Sequence, residues 1–226
     1  MCSRVRLSSD YSEIKIALKF DLETAAPNFK PDWNKPPTEP MLVAIRSEDG
    51  KRIPKMMRWG LLPHWARDEK LSYSTFNARA EEFATKPAFK DAWKRGQRCL
   101  VVTDGFYEWK KRTVKEKQPY AIATKEGMMI MAGLWSRWKD PKPGGEVLSC
   151  TVLTCSPNQV MAELHDRMPV ILAESDWPKW LGEVPATEDE LVSLLKPCPD
   201  DALRIRKVDR RVGNVRNNSP ELALRA

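Results

Sequence analysis

Long apolar runs are missing from this 226-residue chain. No stretch approaches the ~20 consecutive apolar residues that a bilayer-crossing helix needs, so no membrane contact is expected. The opening MCSRVRLSSDYSEIK lacks the apolar centre of a secretory signal. Histidine is scarce, with only His64 and His165, and no CxxC pair occurs among Cys2, Cys99, Cys150, Cys155 and Cys198. A zinc site therefore has few candidate ligands, and neither a metal nor another cofactor is expected. An odd cysteine count without a signal fits free thiols in a reducing cytoplasm, nucleoid-associated if the source is bacterial. Glycine is sparse too, ten residues with none clustered near the start. Internal repeats and low-complexity tracts are absent.

Aromatic residues are plentiful. Nine Trp, six Phe and four Tyr supply the apolar surface that offsets ordering entropy, which excludes a disordered chain. The length suits one domain spanning 1–226. Basic residues outnumber acidic ones, 38 to 31, for a net charge of +7. That balance permits attraction to nucleic acid without demanding it. Two basic runs stand out, Lys110 to Lys117 and Arg204 to Arg216. Either reads equally well as a solvated face.

Strand patterns are expected at Cys2–Leu7, Met41–Ile45, Ile53–Trp59, Cys99–Thr103, Phe106–Lys110, Tyr120–Thr124, Met129–Trp135, Val147–Thr154, Met168–Leu172 and Leu203–Val208. Helices are expected at Asp10–Phe20 with Ser9 as cap, Pro87–Arg95 ended by Gly96, Pro157–Leu164, Asp176–Leu181 and Glu188–Leu195. The last carries Thr187 and Glu190 at capping-box spacing. Glu23 to Pro40 holds five prolines and reads as an extended loop. Turns are expected at Ser47–Gly50, Asp104–Gly105 and Pro141–Gly145. Consecutive strands joined by short turns argue for an α+β fold, with mostly antiparallel sheets curled towards a barrel and short flanking helices.

Cys2 is the most unusual candidate for chemistry. Once Met1 is removed it becomes a 1,2-aminothiol, with an amine titrating near ~7.8 and a thiol near ~8.5. The amine can condense with an aldehyde to an imine, and the thiol can close a five-membered thiazolidine. Glu108, in TDGFYEW, shares a strand face with Phe106 if the segment is extended. A carboxyl among rings suits proton shuttling, whereas one on an edge strand merely faces water. His165, in ELHDRMPV, can act as acid or base, or be a structural partner of Asp166. Asn77 and Arg79, in TFNARAE, can fix a sugar hydroxyl or amine and a phosphate. They read equally as a turn residue and an ion pair with Glu81 or Glu82. Trp65 and Trp109 are candidate stacking platforms for bases, or core. His64 reads as a surface or stacking residue.

In order, MC-x-R, WGLLPHW, NARAE, RCLVVTDGFYEW, GLW, T-x-S-P-N, HDRMPV and VGNVRNNSPEL make the chain resemble the SOS-response-associated peptidase (SRAP) family of abasic-site processing proteins. The matches run from residue 2 to about 222. The resemblance implies a barrel-like α+β domain that senses abasic sites in single-stranded DNA, whose deoxyribose opens to an aldehyde, and that acts in the DNA damage response.

 Carried over residue by residue, Cys2 is the covalent nucleophile after autocatalytic or aminopeptidase removal of Met1. Asn77 orients the Cys2 amine and the opened sugar, Glu108 shuttles protons and helps remove Met1, and His165 acts on the sugar oxygens. Arg4, Arg79 and Arg167 hold phosphates, Trp65 and Trp109 stack on flanking bases, and Thr154 is a further phosphate contact. A self-processing peptidase, a covalent shield over the lesion, and associated lyase and cross-link reversal activities are implied, in a monomer. The chain departs from the usual MCGR start in having Ser3, where glycine has backbone freedom that serine lacks.

Two other classes compete. Class II glutamine amidotransferases also begin Met-Cys and use the exposed thiolate, but with Gly-rich segments that this chain lacks. A non-catalytic basic nucleic-acid module would keep every activity on Cys2→Ala.

Overall fold

The computed structural model describes residues 2–21, 24–111, 117–140 and 145–224. In chain order the elements are β1 (Val5–Leu7), α1 (Tyr11–Ala17), β2 (Asp32–Lys35), β3 (Pro40–Arg46), β4 (Arg52–Trp59), β5 (Asn77–Arg79), α2 (Lys90–Lys94), β6 (Arg98–Thr103), β7 (Gly105–Lys111), β8 (Lys117–Thr124), β9 (Met129–Lys139), β10 (Glu146–Cys155), α3 (Gln159–Ala162), β11 (Met168–Pro169), α4 (Trp177–Leu181), α5 (Glu188–Ser193) and β12 (Leu203–Lys207).

Five strands close on themselves. The order β10, β4, β3, β6, β9 returns to β10, because β10 pairs with both β4 and β9. Closure removes the unpaired edges that an open sheet would leave. The short strands β5 and β11 attach to the far end of β10, so β10 positions four neighbours. The second sheet has the order β12, β8, β7, β1, β2. One large core joins them, with Val43, Leu100, Val101, Met131, Leu153 and Trp180 all buried.

The chain changes sheets between β6 and β7. Gly105 makes that corner at φ +149°, and a Cβ there would stand 2.2 Å from the Ile122 carbonyl oxygen. No side chain fits. Asp104 beside it accepts from the backbone N–H groups of Ser8 and Ser9 and from both their hydroxyls. Ser9 therefore serves this clip and does not cap α1, whose N-cap is Asp10. The turn expected at Asp104–Gly105 is a crossover between the two sheets, since β6 and β7 do not pair.

The capping box at Thr187 and Glu190 is present. The pairings of β10 with β4 and β5 are parallel, within the mostly antiparallel arrangement that was expected. Two expectations need correction. The proline-rich loop contains β2, which pairs with β1 at the sheet edge, where flanking prolines cost no ladder bond. The helices are shorter than their patterns, α1 ending before Lys19 at φ +54°. The turn at 141–145 lies outside the described residues except for its last position, and the first basic run is described only at its ends.

Candidate active site and nucleic-acid cleft

β1 brings the start of the chain against β7. Val5 faces Phe106, and the Tyr107 N–H donates to the Arg4 carbonyl at 2.9 Å. The same antiparallel ladder carries Cys2 towards Glu108 and Trp109. Alternation along β7 gives each residue a side. Phe106 joins the main core, while Tyr107 and Trp109 belong to a smaller cluster with Val208, Val212 and Leu222. Glu108 lies on the Phe106 side and is only 5% exposed, so it is no edge-strand surface residue. One of its oxygens accepts from the Trp109 N–H at 3.1 Å.

Cys2 is 1% exposed. Burial and the negative charge of Glu108 push its thiol well above the usual range. Asn77 donates from Nδ2 to the Cys2 carbonyl oxygen at 2.6 Å. β5 holds Asn77 in place through its parallel pairing with Val152 on β10. The other amide atom, Oδ1, is buried and has no partner among the described residues.

His165 follows α3, its N–H donating to the Met161 carbonyl at 2.9 Å. Asn158 caps that helix through Met161 N–H. The His165 Nδ1 lies 2.7 Å from Asp166 Oδ1 and 3.0 Å from the Arg167 N–H. Nδ1 can serve one of them at a time, donating to the carboxylate or accepting from the amide.

A cleft of about 540 Å³ opens here, lined by Arg79, Trp109, Lys110, Glu163, Leu164, His165, Asp166 and Arg167. It unites four expected site residues, Arg79, Trp109, His165 and Arg167. The other expected residues lie elsewhere. Arg4 donates to Asn34 Oδ1 and the Val212 carbonyl and lies over the Trp109 ring, so its guanidinium braces the cleft wall from behind. Thr154 is fully buried, with its hydroxyl 3.3 Å from the Ala78 carbonyl. Its carbonyl accepts from Arg167, which corrects the phosphate-contact expectation to an anchoring one. Trp65 is 48% exposed and lines a separate hollow with Arg67 and Leu71. His64 is a half-exposed surface residue 3.6 Å from Asp91, as expected.

Sequence reasoning missed Lys110 as a cleft residue and Glu81 as the partner of Arg167. Glu81 accepts from both terminal nitrogens of Arg167 at 2.8 Å, while the Arg79 ion pair goes to Glu82. The NARAE spacing offered both carboxylates to Arg79, and only the fold divides them. Among the described residues no group of His, Cys, Asp and Glu is placed to hold a metal, and no helix is long and apolar enough to cross a membrane.

The family model for SOS response associated peptidase (SRAP) matches residues 1–215. The chain belongs to the SRAP family. Among SRAP relatives, the abasic site processing protein YoqW of Bacillus subtilis is 37% identical over 98% of each chain. The abasic site processing protein HMCES of Xenopus tropicalis is 35% identical over 85% of this chain and 65% of its own. A Bacteroides thetaiotaomicron protein of known crystal structure is 26% identical, with a TM-score of 0.84 over the whole of both chains. The SRAP assignment accords with the resemblance in the motifs, and the barrel accords with the expected fold.

Proposed function

We infer that this chain processes abasic sites in single-stranded DNA by covalent capture at Cys2. The observation that carries the reading is the clamp between Asn77 and Cys2, on the same short strand as the cleft residue Arg79, with Asn77 Oδ1 left as a buried acceptor. Removal of Met1 by hydrolysis gives Cys2 a free amine, and that amine is the donor the orphaned oxygen calls for. The family and the names of its relatives support the same reading.

The chemistry balances without an oxidant or reductant. The amine adds to the aldehyde of the opened deoxyribose, and the carbinolamine loses one water to give an imine. The Cys2 sulfur then bonds to the imine carbon, and the nitrogen gains the proton that the thiol gives up. Glu108, buried on the Phe106 side of β7, is the residue assigned to carry that proton. His165 assists opening of the sugar ring and reversal of the link. Arg79 and Arg167 hold phosphates, Trp109 stacks against a base, and Trp65 serves a more distant one. Arg4 acts through Trp109.

The test is a denaturing gel of the protein with single-stranded DNA carrying one abasic site, without borohydride. A heat-resistant shifted band that requires both Cys2 and the lesion is expected. No band from a protein whose mass shows Met1 removed would overturn the reading, and release of ammonia from glutamine would install the amidotransferase alternative.

A further inference from the structure

The three cations that line the cleft are all engaged by carboxylates. Arg167 makes a two-pronged contact with Glu81 at 2.8 Å on each side. Arg79 lies 3.6 Å from Glu82, and Lys110 lies 3.5 Å from Glu163. The net charge of +7 is therefore not concentrated as free charge at this site. The Arg167 pair is the tightest of the three. Its guanidinium is only 14% exposed and is braced by the Thr154 carbonyl, whereas Glu81 is 54% exposed. The fixed partner is the arginine, and the movable one is the glutamate.

A carboxylate and a phosphate present the same pair of oxygens to a guanidinium fork. We propose that Glu81 is a specificity-determining residue that occupies the phosphate seat of Arg167 until a DNA strand displaces it. The inference rests on the reading of the cleft as a DNA site. Its consequence is a cleft that holds undamaged strands weakly, leaving retention to the covalent step at Cys2. Arg167 in turn holds the Glu81 carboxyl below the usual range, so Glu81 stays charged at neutral pH and keeps the seat filled.

The salt dependence separates this from a general charge effect. A phosphate neutralised by an otherwise free cation sheds its own condensed counterion and contributes about 0.7 to the slope of log affinity against log salt for a single strand. A phosphate that displaces Glu81 leaves that carboxylate uncompensated beside it, so the local charge is not neutralised and the release is lost. Binding of a lesion-free oligonucleotide is measured by fluorescence anisotropy over a salt series, for wild type, Glu81→Gln, Arg167→Gln, the double variant, and Glu48→Gln as a remote charge control. Glu48 is an exposed turn residue. Expected is roughly a 3- to 10-fold gain for Glu81→Gln at low salt, with a slope steeper by about 0.7. The gain disappears in the Arg167→Gln background and exceeds that of Glu48→Gln. Equal or weaker binding by Glu81→Gln, with wild type binding normally, overturns the inference and leaves the proposed function standing. An equal gain from Glu48→Gln, or a gain that persists without Arg167, also overturns it. Absence of binding by wild type and variants alike overturns the DNA reading and this inference with it. Melting curves confirm that each variant is folded.

Discussion

Asn77 grips Cys2 by its carbonyl oxygen, 2.6 Å from the amide nitrogen, and not by its sulfur. The grip fixes the Cys2 backbone and leaves the sulfur outside it.

Asn77→Ala removes that grip. The cross-linking rate is expected to fall at least ~10-fold, because small misplacements of reacting groups are costly. Binding of lesion-free DNA stays within about 2-fold. Asn77→Asp also lacks the donor and behaves like Asn77→Ala, which rate measurements on the gel will check.

Glu108→Gln separates charge from proton transfer. Loss of the negative charge lets the Cys2 thiol ionise at lower pH, although burial still holds it up. Alkylation of Cys2, mapped by mass spectrometry, becomes faster. Cross-linking becomes slower by ~10²-fold, since the proton carrier is gone. Both rates rising together would assign Glu108 a merely electrostatic role.

Trp109 and Trp65 stand in separate hollows. Trp109→Ala is expected to weaken a short oligonucleotide by about 1–3 kcal/mol. Trp65→Ala leaves the short oligonucleotide unchanged and weakens only a longer one. Anisotropy titrations with two lengths decide it.

Stability falls in alkali. Burial raises the thiols of Cys99 and Cys150, the latter to about 12. These groups keep their protons in the folded state while the unfolded chain loses its own near ~8.5. The unfolded state then binds fewer protons, so each such thiol costs about 1.4 kcal/mol per pH unit above that point. Their stabilising contribution is complete below it. Denaturant midpoints are expected to hold from pH 7 to about 8.5 and to drop steadily from there to pH 10, less steeply for Cys150→Ala.

Gly105→Ala is expected to cost about 3 kcal/mol or more, because both the φ and the Ile122 carbonyl oppose a Cβ. Thermal melting measures it.

Much of the fold was legible because hydrophobic alternation and turn residues are local signals. β2 was not. Its partners are far away in sequence, with the Asn34 amide donating to the carbonyls of Val212, Asn214 and Asn217. β5 has three residues, too few for any period, so its pairing with β10 could not be read. At the site, residue type and motif singled out Cys2, Asn77, Glu108 and His165 as candidates, and the fold brings Asn77 against Cys2. The place of Thr154 did not, because inward and outward positions look alike until neighbouring strands are known. The division of Glu81 and Glu82 between two arginines likewise depends on a contact across 86 residues.

The Asp104 clip has a mechanical side. Cys2 precedes β1, and β1 is laddered to β2 on one flank and β7 on the other. Tension applied through Cys2 runs along β1, so it loads those hydrogen bonds together in shear instead of peeling them one by one. Ser8 and Ser9, tied to Asp104 just beyond the strand, sit where that load leaves it. A DNA strand joined to Cys2 and dragged by a moving motor would pull against the sheet as a whole.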